Sequence, residues 1–395
     1  MAPNAQHDAS QSLATRAVHA DHGIAAHRAV APAMHVSTTF CYTDDADKLD
    51  PQNTTDPLAP QDSHVYSRES APNTTRLEAV LSSLLGAPCL TYASGLAAFH
   101  AILVHINPRR IAISQGYHGC HAVIDIMSRL TGLEKVALDA EVERGDVIHL
   151  ETPLNPTGEA RSIAHYAERA HRLGAHLIVD ATLGPPPLQN PFTQGADVVL
   201  HSGTKYLGGH SDMLCGVLAT KASLAWHETL RRQRAALGAV MGSLEGWLGL
   251  RSVRTLELRV ERQSATATAL VRWLAEQMQQ NASPAAALVL RVQHASLQAD
   301  EAGWLREQMP RGYGPVFALC MRNVEAARRL PGRLSLFQHA TSLGGVESLI
   351  EWRAMSDAGV DGRLLRVSVG VEAYQDLRRD LQQALESLSA SRAGE

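Results

Sequence analysis

The chain has 395 residues, 45% of them apolar, enough for two or three domains and for a large core without disulfide or metal staples. Forty acidic side chains against 36 basic ones give a net charge of -4, a balance that offers no electrostatic footprint for nucleic acid or an anionic membrane. The basic set is lopsided: four lysines (Lys48, Lys135, Lys205 and Lys221), the rest arginines.

Met1 to Ser12 is polar and lacks the apolar stretch of a secretory signal, and no run approaches the roughly 18 apolar residues of a membrane span. The five cysteines are odd in number and form no C-x-x-C pair, so no disulfide framework is expected, and a reducing, cytoplasmic setting is. The 19 histidines show no ligand spacing, so no metal is expected either. The N-x-T sequons at Asn53 and Asn73 are expected to be chance matches.

In chain order, residues 1–60 read as an irregular arm, with a stretch from Asp44 to Asp62 rich in Asp, Pro, Asn and Thr. Short apolar runs bounded by Gly, Pro or polar residues then predict strands at Pro88–Tyr92, Ile111–Ser114, Val147–Glu151, His176–Thr182, Val198–Ser202 and Gly216–Thr220. Helical spacing appears at Gly95–Ile106, His118–Leu130 and Arg161–Leu173. Nearly continuous apolar strands alternating with helices predict an α/β fold, a mostly parallel sheet covered on both faces. From Trp226 to Glu261 the pattern is long, helical and Arg-rich and reads as the connection to a second domain. Helices at Ala265–Gln279 and Asp376–Ser387 follow, with strands at Val316–Met321 and Leu364–Val369. The expected organisation is an arm (1–60), a large domain (61–255) and a smaller α+β domain (256–395).

Open parallel sheets bind ligands beyond the carboxyl ends of their strands. That rule selects Glu151 with the Thr152–Gly158 turn, Asp180, Ser202-Gly203-Thr204-Lys205, and the Ser94-Gly95 link into a helix. Each has an ordinary reading alone: a cap, a turn, a rim lysine. Together they supply a helix N-terminus for a phosphate, a carboxylate and a lysine at adjacent strand ends, which is what pyridoxal phosphate (PLP) requires. The other lysines have no such neighbours.

These residues resemble the PLP-dependent Cys/Met metabolism family, the γ-family of fold-type I enzymes. The resemblance rests on Val179-Asp180-Ala181-Thr182, Ser202-Gly203-Thr204-Lys205-Tyr206, Gly209-His210-Ser211-Asp212, Tyr66-Ser67-Arg68, Ser94-Gly95-Leu96-Ala97-Ala98, Glu151-Thr152-Pro153-Leu154-Asn155-Pro156-Thr157, Ser342–Leu349 and Arg366–Gly370. Thr15–His19 is similar to the family's opening motif, so the likeness runs from about residue 15 to 372. It implies that Lys205 carries PLP as a Schiff base and moves protons. Asp180 would pair with the ring nitrogen, with Thr182 beside it. Gly95, Leu96, Ser202 and Thr204 would hold the phosphate, and Tyr66 and Arg68 that of a neighbouring subunit. Tyr117 would stack on the ring and assist proton transfer. Arg366 would pair with the substrate α-carboxylate, and Asn155 and Ser342 would orient substrate and cofactor. A shared site implies at least a homodimer, and the family is usually a tetramer.

The sequence departs from the family pattern at Tyr117-His118-Gly119-Cys120, where the cysteine is one position away from that of methionine γ-lyases. Thr341 stands where γ-lyases and γ-synthases commonly carry glutamate, and Glu351–Asp357 replaces the usual Pro-Ala-x-Met-Thr-His. The expected activity is replacement at Cγ of an O-acyl homoserine, as in cystathionine γ-synthase. The alternative is a carbon–sulfur lyase that releases a keto acid, ammonia and a thiol. A scaffold protein should have lost Lys205 or Asp180, and an aminotransferase should lack the Tyr66/Arg68, Gly209–Asp212 and Ser342–Leu349 motifs.

Overall fold

The computed structural model of the chain describes residues 11–24, 29–49, 64–299 and 303–393. The first ten residues and most of the polar stretch Asp44–Asp62, with Asn53, lie outside them. Asn73 of the second sequon is buried, its amide donating to Ala33 O and accepting from His35 N–H, both at 2.8 Å. The arm is not irregular throughout, for it contains helix α1 (Leu13–His19), capped by Ser12. Seven residues are too few for apolar spacing to stand out, and tertiary contacts hold the helix. Ala17 joins the main core, and buried Asp21 pairs with Arg76 (2.5 Å) and Arg254 (2.8 Å). Helix α2 (Pro72–Leu85) was not predicted, because its Pro-Asn-Thr-Thr start reads as loop. In fact the proline occupies the helix start, where its missing N–H costs nothing, and the polar residues are buried.

The large sheet follows from β1 (Cys89–Tyr92), α3 (Gly95–Ile106), β2 (Arg110–Ile113), α4 (His118–Thr131), β3 (Glu134–Ala137), β4 (Val147–Glu151), α5 (Ile163–Leu173), β5 (His176–Asp180), β6 (Val198–Ser202) and β7 (Gly216–Thr220). Its strand order is β1-β7-β6-β5-β4-β2-β3. Five strands from β6 to β3 are parallel, and β7 runs antiparallel to β6 and to β1. Every strand expected here is present. The addition, β3, is a largely exposed edge strand without the apolar signal of the others.

The single helical pattern expected over Trp226–Glu261 is broken into α6 (His227–Leu237), α7 (Ser243–Val253) and α8 (Leu256–Met278). Gly238, in the left-handed conformation, ends α6. The early turns of α8 put Leu256 and Val260 in the main core, and later turns put Leu270 and Leu274 in a second core. The expected division at 255/256 therefore falls at the start of a helix that serves both cores.

The remainder comprises α9 (Pro284–Leu288), β8 (Val289–Gln293), α10 (Trp304–Gln308), β9 (Val316–Met321), α11 (Val324–Arg329), β10 (Gln338–His339), β11 (Leu349–Trp352), β12 (Leu364–Ser368) and α12 (Tyr374–Ala393). A second sheet runs β10-β11-β12-β9-β8. Its strands β9 and β12 were expected; β8 is partly exposed and β10 has two residues, too little for a pattern. No helix among the described residues is long and apolar enough to cross a membrane.

Candidate active site

The carboxyl ends of β4, β5 and β6, the start of α3 and the segments around β11 and β12 surround one cavity of about 450 Å³. Lys205, three residues past β6, directs Nζ into it and donates to Ser342 Oγ (2.8 Å). Burial, and then the positive charge of Arg366, lower the lysine pKa to about 8, with Glu351 opposing. Ser342 has a left-handed backbone (φ 78°), costly for a residue with a Cβ. Two residues on, Gly344 lies against the Lys205 backbone, and a Cβ there would be 3.0 Å from the Lys205 carbonyl carbon.

Asp180 ends β5 and is buried, and its carboxylate accepts from Thr182 N–H (3.0 Å). Burial raises its pKa. Thr182 Oγ1 accepts from Ser202 N–H (2.8 Å), tying β5 to the end of β6. Glu151 stands opposite Asp180 in the β4–β5 register and accepts from Tyr117 N–H (2.9 Å) and Asn155 N–H (2.7 Å). Burial, and then Asp180, push its carboxyl up to about 8, since two adjacent carboxylates in one dry site resist double ionisation.

Ser94 caps α3, its Oγ accepting from Ala97 N–H (3.1 Å) and its carbonyl from Ala98 N–H (3.0 Å). Among the described residues nothing accepts the N–H groups of Gly95 and Leu96, which line the cavity at the positive end of the helix. A Cβ on Gly95 would come within 3.1 Å of Ser202 Cβ. The Thr204 hydroxyl accepts from Cys215 N–H (3.0 Å), so it also anchors its own loop. Tyr117, at the start of α4, folds its ring over Gly119, and burial, then Cys120, raise its phenol pKa.

The wall from the second sheet is cationic. Arg366 of β12 lies opposite Glu351 of β11 in register. It donates to Asn155 Oδ1 (3.1 Å), Ser342 O (2.8 Å) and Glu351 Oε2 (2.6 Å). Burial alone would raise the Glu351 carboxyl, but Arg366 and Arg353 reverse that and hold it below its usual value. Burial lowers the Arg366 pKa to about 10. Helix α8 touches both lips of the cavity: Arg259 donates to Tyr206 O (2.9 Å), and Gln263, one turn on, donates to Gly345 O (2.6 Å).

Of the thirteen residues to which the resemblance gives a role, eleven line this cavity, as do Ser94 and Glu151 from the strand-end rule. Tyr66 and Arg68 do not; they are exposed, with the Arg68 guanidinium 5.3 Å from the Tyr66 ring centre. Arg353 and Ser356 line it as well and carried no sequence signal beyond lying in the segment that departs from the family pattern. Cys120, His149 and Asp180 bring ligand atoms within 4.8 Å of one another. Burial pushes the Cys120 thiol up and lowers His149 to about 3, so both sit uncharged beside the carboxylate.

Residues 14–386 match the family model of the Cys/Met metabolism PLP-dependent enzymes. The chain belongs to that family. It is 30% identical to cystathionine gamma-lyase of Saccharomyces cerevisiae over 95% of this chain and 98% of the relative. The crystal structure of the yeast enzyme superposes with a TM-score of 0.81 at 29% identity, over 96% of this chain and 99% of that one. It is also 31% identical to cystathionine gamma-synthase of Escherichia coli, over 89% and 92%. With cystathionine beta-lyase of Bacillus subtilis the identity is 34%, over 82% and 86%. Family members are PLP-dependent, and the cavity fits that cofactor. A buried carboxylate with a raised pKa suits a pyridinium nitrogen, the free N–H groups of Gly95 and Leu96 suit a phosphate, and a half-buried lysine of lowered pKa suits a carbonyl carbon.

Proposed function

We propose that this family member catalyses γ-replacement on an O-acyl homoserine. A thiol sulfur bonds to Cγ, the acyloxy group leaves as a carboxylate, and the thiol proton goes to a base in the site. The observation that carries this reading is the cavity itself, where a lysine of lowered pKa, a buried carboxylate, a helix N-terminus and a buried arginine meet. Bound PLP supplies an electron sink that stabilises negative charge at the substrate Cα.

The chain's residues do the rest. Arg366 binds the α-carboxylate with its planar fork, held by Asn155 and the Ser342 carbonyl. Asp180 would keep the ring nitrogen of bound PLP protonated, and the Thr182 N–H steadies Asp180. Gly95, Leu96, Ser202 and Thr204 would hold the phosphate. Lys205 Nζ, released from its bond to Ser342, moves the proton at Cα and then at Cβ, the second step that departure from Cγ requires. The Tyr117 hydroxyl stands in the same cavity as a second proton carrier.

Thr341 favours a second reading, a carbon–sulfur β-lyase, because the cavity wall has a neutral residue where γ-enzymes commonly carry glutamate. Purified enzyme given O-succinyl or O-acetyl homoserine plus cysteine should yield cystathionine. Pyruvate from cystathionine, with no reaction of either ester, would reject γ-replacement in favour of the lyase. We further infer a cytoplasmic homo-oligomer, at least a dimer and in the family manner a tetramer, in which Tyr66 and Arg68 reach the phosphate of the neighbouring subunit. Their position away from their own cavity supports this. Arg68→Ala should loosen PLP by about tenfold; unchanged PLP affinity would count against a shared site.

A further inference from the structure

Arg353 is a cationic group of the cavity that the proposed chemistry leaves without a task. It follows β11, in the segment that departs from the family pattern, and lines the cavity with Arg366, Thr341 and Ser356. The residue is 3% exposed. One of its donors is used well, Nη1 to Glu351 Oε2 at 2.8 Å. Nη2 makes a loose ion pair with Asp357 Oδ2 at 3.9 Å, beyond hydrogen-bond reach, so that donor is still unmet. Nε is buried and has no partner among the described residues. A guanidinium offers five donors in a rigid fork, and burying it with donors unmet costs free energy that an acceptor would recover.

Nor does Glu351 balance the wall. The oxygen that Arg353 contacts is the one that Arg366 contacts, at 2.6 Å, so two buried guanidinium groups share one oxygen. An incoming α-carboxylate engages Arg366 and leaves Arg353 facing the rest of the substrate.

We propose that Arg353 forms a second anion subsite, which takes a carboxylate on the substrate's side chain or acyl leaving group while Arg366 takes the α-carboxylate. The substrate class is an amino acid carrying two carboxylates a few bonds apart, because Glu351 holds the two arginines side by side. This rests on reading the cavity as an amino-acid site, and it adds a charge requirement that γ-replacement alone does not impose. Glu351 acts as the positioning residue of the pair.

The test compares ligands that differ in one charge. The holoenzyme is titrated with L-glutamate and L-glutamine, and with L-2-aminoadipate and its side-chain amide. Binding is read from the visible absorbance of the cofactor and, independently, from the shift in thermal unfolding. The wild type should bind each acid about tenfold or more tighter than its amide. Arg353→Met should bring the ratio to about one, and Arg353→Lys should keep part of it. Both ligands of a pair share the α-carboxylate, so any disturbance of Glu351 or Arg366 cancels in the ratio. A wild-type ratio at or below one overturns the proposal, as does a ratio that survives Arg353→Met. If that variant does not fold, the wild-type ratio and Arg353→Lys still decide.

Turnover then locates the second carboxylate. A preference for O-succinyl over O-acetyl homoserine that vanishes in Arg353→Met puts it on the leaving group. An acid preference without an ester preference puts it on the side chain. If neither ester reacts while the acid-to-amide ratio depends on Arg353, γ-replacement falls and the subsite stands.

Discussion

Two buried glutamates beside the cavity, one on each sheet, behave in opposite ways. Glu151, on the first sheet, is buried next to Asp180 and is pushed up to about 8. Glu351, on the second sheet, is also buried, yet Arg366 and Arg353 hold it below its usual value. Burial raises both; the neighbour in register adds to that rise at Glu151, where it is a carboxylate, and reverses it at Glu351, where it is a guanidinium. One sheet thus presents carboxyls of raised pKa and the other fixed positive charge, and Lys205 stands between them.

The largest effect should come from the residue between the two walls. Lys205→Ala should cost at least about a thousandfold in turnover while circular dichroism and the unfolding midpoint stay close to wild type. A folded variant with substantial turnover would remove the lysine from the chemistry.

Next come the glutamates themselves. Glu351→Gln leaves two buried guanidinium groups without their shared carboxylate and should destabilise the protein by about 3–5 kcal/mol at pH 6 in denaturant unfolding. Glu151→Gln replaces a carboxyl that already holds its proton and should cost less than about 1 kcal/mol under the same conditions. Equal losses would erase the contrast.

The smallest effect is a slope. The folded state binds the Glu151 proton more tightly than the unfolded chain does, so this group's contribution is full below its ordinary value of 4.5 and is lost as pH rises to about 8. The lowered Glu351 acts in reverse, its contribution present above 4.5 and lost as pH falls. Stability measured from pH 5 to 9 should therefore fall less steeply in Glu151→Gln than in wild type. Parallel curves would show that Glu151 is ionised throughout.

Much of the first wall was legible in the chain. Buried parallel strands are apolar runs, and the rule that ligands sit at their carboxyl ends selected Glu151, Asp180 and Lys205 before any geometry was known. The second wall was legible only in part. Arg366 and Ser342 emerged through resemblance, but β11 is short and was not predicted, so the register that sets Glu351 against Arg366 was invisible. Arg353 has no periodic or spacing signal, because its role comes from a neighbour across a strand pair. His149 was likewise unreadable: an apolar strand tolerates one imidazole when burial keeps it neutral. Helix α2 was missed because helix starts and loops share a vocabulary of Pro, Asn and Thr.

The grip of α8 on both lips of the cavity has a consequence for how the enzyme selects. Arg259 and Gln263 are one helical turn apart, and through them the lysine loop and the Ser342–Gly345 loop are measured off along the same rod. That rod also runs unbroken through both cores. Parting the two sheets around a ligand would bend it, so the gap between Lys205 and Ser342 is a gauge of preset width rather than a jaw. On the proposed function, substrates would be sorted by whether their charges reach the fixed stations on either side of it.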